Sequence, residues 1–281
     1  MPRALSIQEI EELGYYDFMA YLGVPFFNIG GAPSIDLLAE RCRIDDGSHI
    51  LDVGCGTGGN AKYLAEHFGC KVTGIDISEL MIEQAQIRAS ELETEKKLDF
   101  HMGDAYSLEF PDGSFDAVLT IFVSQFLEID RAFPEFMRVL RPGGYLGINE
   151  MYRLENVPTQ DSEKADYAEK VYRELTELPF SIRSPETWEK GFIDSGFSEV
   201  SVKPFSEFLS AKTGLDMIKD LGGWINLFKL LWRTYSLALK SKKIRTRYSR
   251  ISKGKNVMLR DKKTIKYFGY VLGTGKKPSQ A

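Results

Sequence analysis

The segment Leu51-Asp-Val-Gly-Cys-Gly-Thr-Gly-Gly59 constrains this chain more than any other stretch of it. A β-rich apolar run ends there, glycine follows at 54, 56, 58 and 59, and an amphipathic stretch takes over at once. Glycine permits both a tight turn and the close approach of a ligand to bare main chain, so a strand that opens into a helix through such a loop has the form of a nucleotide-type site. The surrounding sequence agrees. Strands are expected at 49–53, 71–75, 98–102, 115–121 and 144–151, with helical stretches at 60–68, 79–95 and 131–140 between them. Such alternation builds βαβ units with right-handed crossovers, so the expected fold is α/β, a doubly wound and mostly parallel sheet with helices on both faces.

Outside this unit the pattern changes. Ser34 after Pro33 reads as the N-cap of a helix over IDLLAERC, and the preceding YYDFMAYLGVPFFNIGG is aromatic and turn-rich, so residues 1–47 are expected to form a helical lid and a leading helix. The α/β unit is expected over 48–205. There Ser184 and Pro185 supply an N-cap and a first-turn proline for a helix to about 195, and FSEVSVKPF alternates like a strand. Residues 206–264 read as a helical, basic insertion, and 265–281 as a last strand near 267–273 followed by a polar, disordered tail. That makes seven strands.

A chain of 281 residues with 43% hydrophobic and 27% charged content is of the soluble kind and large enough for one sizeable core with an elaboration. The N-terminal residues lack an apolar signal-peptide region, and no run of about 18 uncharged apolar residues occurs, so a cytoplasmic location is expected. Cys42, Cys55 and Cys70 fit neither a metal knuckle nor an even disulfide framework, so reduced thiols and no metal are expected.

Three carboxylates decide between ligands of the glycine loop, because Gly54, Gly56 and Gly59 also satisfy the generic GxGxxG pattern and that pattern alone is weak. Asp76, in GIDIS at the end of the second strand, is placed to accept both hydroxyls of a ribose. Asp52 puts negative charge beside the loop, which suits a ligand bearing an ammonium and a sulfonium and repels a diphosphate. Asp104, in Gly-Asp-Ala105, closes the third strand, where it can accept from an adenine amino group.

With LDVGCGTGG, GIDIS, GDA, FDAVLT and RVLRPGGYL, all between about 50 and 146, the chain resembles the class I S-adenosylmethionine-dependent methyltransferase family, and within it the ubiquinone/menaquinone-biosynthesis and sterol-type small-molecule branch. The resemblance implies S-adenosyl-L-methionine as cofactor and S-adenosyl-L-homocysteine as product. It further implies that Gly54 and Gly56 line the methionine moiety, that Asp76 binds the ribose with Ile77 beside it, that Asp104 and Ala105 hold the adenine, and that main chain near Ile121 flanks the sulfonium. It implies a final antiparallel strand as well. Where a histidine pair is common after the fourth strand in this branch, the chain has Ser124-Gln125.

For the acceptor, the family's (Asn/Asp/Ser)-Pro-Pro-(Tyr/Phe) loop for planar amines is replaced by Thr120-Ile-Phe-Val-Ser-Gln125, which argues against such substrates. Tyr16 in the lid is a candidate to reach over the cofactor, with core packing as the alternative. Glu150 and Tyr152, at the carboxyl edge where ligands bind in open α/β sheets, are candidates to orient or deprotonate an acceptor. His49, His67 and His101 are expected to be ordinary strand or helix residues.

The charge is uneven. Residues 240–263 hold eleven Lys or Arg and one Asp although the whole chain carries −4, and the stretch before them is rich in Trp and Leu. An apolar helix joined to a cationic segment is what interfacial membrane binding uses, so a lipophilic small-molecule or lipid acceptor, with peripheral membrane contact through 221–263, is expected; a buried cap with a solvated basic face is the alternative. An RNA methyltransferase gripping phosphates through the insertion is disfavoured by the acidic remainder of the chain. A nicotinamide oxidoreductase is disfavoured by Asp52, and a non-catalytic S-adenosylmethionine-binding protein by the intact loop with all three carboxylates.

Overall fold

A computed structural model describes residues 5–23, 30–206, 218, 223–259 and 261–279. Residues 24–29 of the expected lid and 207–217 and 219–222 of the insertion lie outside them. Seven strands form one sheet: β1 His49–Val53, β2 Lys71–Asp76, β3 Leu98–Met102, β4 Phe115–Ile121, β5 Leu140–Arg153, β6 Ser198–Phe205 and β7 Phe268–Lys276. Their order is β3-β2-β1-β4-β5-β7-β6. Pairs among β1 to β5 are parallel, whereas β7 runs antiparallel to both β5 and β6. The chain therefore steps outward from β1 in both directions, leaving a crevice at the carboxyl ends of β1 and β4.

The strand pattern explains the two layers. Along β1 and β4 successive apolar side chains point to opposite faces. Ile50, Ala117 and Leu119 pack with α3 (Gly31–Arg41), α4 (Gly59–His67) and α5 (Glu79–Ser90) through Leu38, Leu64 and Ile82. Leu51, Val53 and Val118 pack on the other side with α6 (Ile129–Val139) and α8 (Pro185–Asp194) through Phe133, Phe136, Trp188 and Phe192. Burying a side chain the size of Trp188 or Phe133 stabilises the fold by about 2–3 kcal/mol each.

Before the sheet come α1 (Ile7–Glu12) and α2 (Tyr15–Leu22). Helix α1 starts with a reciprocal capping box, Ser6 with Glu9, which satisfies two otherwise orphaned amides. Helix α7 (Thr159–Thr176) follows β5, and the insertion contributes α9 (Trp224–Lys240) and α10 (Lys242–Leu259). Among the described residues, no helix is long and apolar enough to cross a membrane.

Several expectations need correction. Ser34 does not cap the leading helix: α3 starts at Gly31, after a left-handed Gly30, and the Ser34 hydroxyl donates back to the Gly31 carbonyl. The start lies earlier because Pro33 falls within the first turn, where no amide is needed, and because Gly30 must be bare: a Cβ on it would lie 2.8 Å from Tyr270. The stretch 79–95 is helical only to Ser90, whose hydroxyl turns back onto Ile87, and a short 3-10 turn covers Glu95–Lys97. The strand expected over 144–151 starts earlier, at Leu140, and Pro142-Gly143-Gly144 is an irregularity inside it, with Gly143 at φ 80° and the register against β4 shifted between Phe115 and Ala117. Ser184 and Pro185 do start α8 as expected, the Ser184 side chain accepting from the Thr187 amide.

Candidate functional site

At the end of β1 the chain turns with Gly54, Gly56 and Gly58 at φ 70°, 54° and 75°, a region closed to most other residues. The Gly54 and Cys55 amides both donate to the Ile75 carbonyl, at 2.8 and 2.9 Å, which folds the loop against β2. Gly54 is crowded as well as bent, since a Cβ there would overlap Val123. Asp76 holds the loop from its far side: its Oδ2 accepts from the Gly56 amide at 3.0 Å and its Oδ1 from the Ser78 amide at 2.9 Å. Burial nonetheless holds the Asp76 carboxyl above the usual range.

Asp52 lies beside Asp76, on the neighbouring strand. It is 1% exposed, its Oδ2 has no hydrogen-bond partner, and burial together with the Asp76 charge pushes its pKa up to about 7. A buried carboxylate with an unsatisfied oxygen is unstable as it stands, and a cationic partner would relieve it. Two carboxyls and a bare-backbone loop thus face one place.

Helix α2 covers this edge. Asp17 accepts a 2.5 Å hydrogen bond from the Ser78 hydroxyl, and Ser78 in turn caps α5 by accepting from the Met81 amide, so the lid is tied to the start of that helix. The Tyr16 ring packs edge-on against Phe126 with centroids 5.8 Å apart. Its hydroxyl is pushed well above the ordinary value, first by burial and then by the charges of groups that include Asp76 and Glu150. Tyr16 therefore lies within the electrostatic reach of both acids.

Glu150, on β5, is fully buried. Its Oε1 accepts from the amides of Val123 and Ser124 at 2.9 and 2.6 Å, while its Oε2 has no partner. Burial outweighs those amides and pushes the carboxyl up to about 8, so at neutral pH Glu150 is mostly the neutral acid. On the other face of β5, beside Met151, a set of rings packs together: Tyr15 against Tyr16 (5.2 Å), Phe126 against Phe180 (4.9 Å) and Phe180 against Tyr172 (5.1 Å). Phe122, directly after β4, takes a left-handed φ of 63° and lies in the same cluster.

The other sequence candidates fall as follows. Ile121, at the carboxyl end of β4, is buried in the layer of α3, α4 and α5 and pairs in register with Asn149 of β5. Ile77 is 53% exposed at the end of β2, and Met102, which pairs in register with Asp76, is 54% exposed. Asp104 is exposed, its Oδ1 engaged by the Tyr106 amide at 2.9 Å in a turn, and Ala105 beside it is buried. Tyr152 is not brought to the aromatic cluster: it is buried in the opposite layer with Trp188, its ring against Gly269. His49 bonds Thr73, His67 stacks on Tyr63 and His101 sits by Asp99, each as ordinary structure.

Sequence reasoning missed Tyr172 and Phe180, which arrive from α7 and the loop after it, and Gln125, whose buried amide group has no partner at either atom. For Gln125 the signal was present, as a polar residue at the carboxyl edge directly after β4.

Residues 51–148 match the family model described as a methyltransferase domain. A sterol 24-C-methyltransferase of Gibberella zeae is 37% identical over 128 residues, which cover 45% of this chain and 34% of that protein, so the chain spans about a third of the length of that relative. Among solved structures, the [4+2]-cyclase SpnF superposes with a TM-score of 0.71 at 23% identity, covering 100% of this chain and 99% of that one. Phosphoethanolamine N-methyltransferase 2 of Haemonchus contortus, in complex with S-adenosyl-L-methionine, gives 0.67 at 20% identity, covering 98% and 60%. At these identities the two structures establish the fold.

Proposed function

We propose, from the match of residues 51–148 to a methyltransferase domain, that this chain is a class I S-adenosylmethionine-dependent methyltransferase and transfers the methyl group of S-adenosyl-L-methionine to a small lipophilic acceptor. The observation that carries the cofactor is the unpaired Oδ2 of Asp52, buried beside the glycine loop and next to a second, half-buried acid, Asp76. That pair fits a ligand bearing an ammonium and a sulfonium and would repel a diphosphate. Gly54 and Gly56 line the methionine moiety with main chain, Asp76 accepts from the ribose, Ile77, Asp104 and Ala105 surround the adenine, and the Ile121 main chain borders the sulfur. When bound, this cofactor supplies a methyl group already activated for in-line displacement, so the protein's share is positioning and exclusion of water.

Within this reading residues 1–47 form the lid, 48–205 hold the cofactor, 206–264 cap the acceptor side and 265–281 complete the sheet. The packed rings of Tyr15, Tyr16, Phe126 and Phe180 form the apolar wall that the acceptor meets. Glu150, with its unpaired Oε2 in a neutral carboxyl at physiological pH, orients a polar acceptor group by donating to it, and becomes a base only above about pH 8. Tyr16, on the lid helix and within electrostatic reach of Asp76 and Glu150, holds the two ligands against each other. A lipophilic acceptor is taken from a membrane surface through 221–263.

Isothermal titration with S-adenosyl-L-homocysteine, against NADH as control and with Asp76→Ala as the paired variant, tests the cofactor. Micromolar binding that the variant loses and NADH does not share supports it. Absence of binding to the wild type defeats it. Transfer of labelled methyl into the apolar fraction of a lipid extract tests the acceptor, and label appearing only in RNA or in polar metabolites refutes that part.

A further inference from the structure

Helix α9 is amphipathic in the direction opposite to that of a globular surface helix. Its inward side is short of apolar bulk, with Leu237 and Thr234 as its buried residues. Its outward side carries Ile225, Phe228, Leu231, Trp232, Tyr235 and Leu239, spaced three, four and seven apart, as one stripe. Four of these are 64% to 72% exposed: Leu239, Phe228, Trp232 and Ile225. A contiguous apolar face of this kind on a soluble chain marks a contact surface.

Charge selects the occupant. From 221 to 260 the chain holds eleven Lys or Arg and no Asp or Glu. Some cations are used internally, Lys243 on Glu12 and Arg250 on Glu174. Lys229 and Lys240, by helical phase at the border of the stripe, and Lys242, Arg245 and Lys253 beyond it, are exposed. A second copy paired across this face would bring like charges together. A surface of anionic phospholipid answers both the stripe and its cations, and Trp and Tyr favour that boundary. At 17 residues α9 is about 25 Å long, suited to lying in the surface rather than crossing it.

We propose that the outward face of α9, with the basic residues around it, docks the protein on an anionic lipid bilayer. This rests on the reading of a lipophilic acceptor, for which it names the residues that make the contact. The docked element is braced against the lid. The Arg233 guanidinium lies 4.1 Å from the centroid of the Tyr21 ring and that of Arg247 lies 5.4 Å from Phe18, both rings on α2. Arg247 also donates to the Leu13 carbonyl at 2.8 Å, and Ser241 to the Glu11 carboxylate. Docking therefore sets the same helix that carries Tyr16 over the crevice.

The test is co-sedimentation of the full chain with vesicles of phosphatidylcholine alone and of phosphatidylcholine mixed with phosphatidylglycerol. Binding to the mixed vesicles is expected, weaker by about tenfold or more on the neutral ones. Phe228→Ser/Trp232→Ser lowers binding to the mixed vesicles by about tenfold or more through lost apolar burial, and Lys240→Ser/Lys242→Ser lowers it by a similar factor through lost charge. Both variants keep the wild-type affinity for S-adenosyl-L-homocysteine, which shows that they fold and separates this test from that of the cofactor. No vesicle binding by the wild type, or binding that neither variant weakens, overturns the proposal. So does a concentration-dependent dimer in sedimentation velocity that Phe228→Ser/Trp232→Ser abolishes while vesicles stay unbound.

Discussion

Replacing Glu150 by Gln removes a proton site and keeps the shape, so it isolates the cost of that buried carboxyl. An acid whose folded-state pKa lies above its unfolded one keeps its proton longer in the folded protein. The folded state therefore has its full relative advantage below pH 4.5 and loses it as the pH climbs through about 8. Integrating proton uptake between those two values, from roughly pH 5.5 to roughly pH 8.5, gives a loss of about 3 kcal/mol in the wild type from this one residue. Asp52, pushed up to about 7, adds a further loss in the same direction to wild type and variant alike, so the difference between them reports Glu150. Urea unfolding at the two pH values is the assay. The wild type should lose about 3 kcal/mol more than Glu150→Gln over that range, with slopes in urea unchanged. Equal pH dependence in the two proteins would mean that Glu150 stays ionised throughout, held by the Val123 and Ser124 amides and by Arg183, and the neutral-acid role would be wrong. Activity gives a second readout. Gln also donates, so methyl transfer near pH 7 survives the substitution if Glu150 orients the acceptor and collapses if Glu150 is the base.

Further outcomes follow from single contacts. Asp76→Ala frees the Gly56 and Ser78 amides that it holds, and titration calorimetry should show S-adenosyl-L-homocysteine binding weakened by about 100-fold. Gly54→Ala forces a residue with a Cβ into φ 70° and against Val123; thermal melting should show a loss of about 1–3 kcal/mol, part of which Val123→Ala restores in the double variant. Tyr16→Phe keeps the ring against Phe126 and should leave the melting temperature unchanged while lowering kcat/KM by about tenfold; an unaltered kcat/KM would make Tyr16 a packing residue.

Much of the fold was legible because its central strands β1 and β4 are buried on both faces and sharply bounded. The bounds of β1, β3 and β4 match their expected 49–53, 98–102 and 115–121 to the residue; β1 and β4 are apolar runs, and β1 and β3 each stop at a glycine. Helix α7 was not read, because Ala165, Ala168, Val171 and Tyr172 are spaced along a segment crowded with charge, and its apolar stripe emerges only once the ring set of Phe126 and Phe180 is there to receive it. The carboxylates of the glycine loop were legible by position. Their unpaired oxygens were not, since the isolation of Asp52 Oδ2 and Glu150 Oε2 depends on residues distant in sequence. The insertion showed its apolar and basic content in sequence, but not which side of α9 faces the protein, because an apolar stripe gives period without direction.

The insertion begins after β6 and returns into β7, and those strands are antiparallel neighbours whose last shared pair is Phe205 with Tyr270, their rings stacked with centroids 4.9 Å apart. The whole excursion is thus one enlarged hairpin loop with its mouth stapled shut. Unstructured chain added within that loop, away from the packed helices α9 and α10, leaves every strand register intact and, by loop-closure entropy, alters stability by only about 0.6 kcal/mol for each doubling of loop length. Such a junction lets an ancestral sheet exchange one excursion for another, so that the cofactor half of the molecule can stay fixed while the half that meets its surroundings is rewritten.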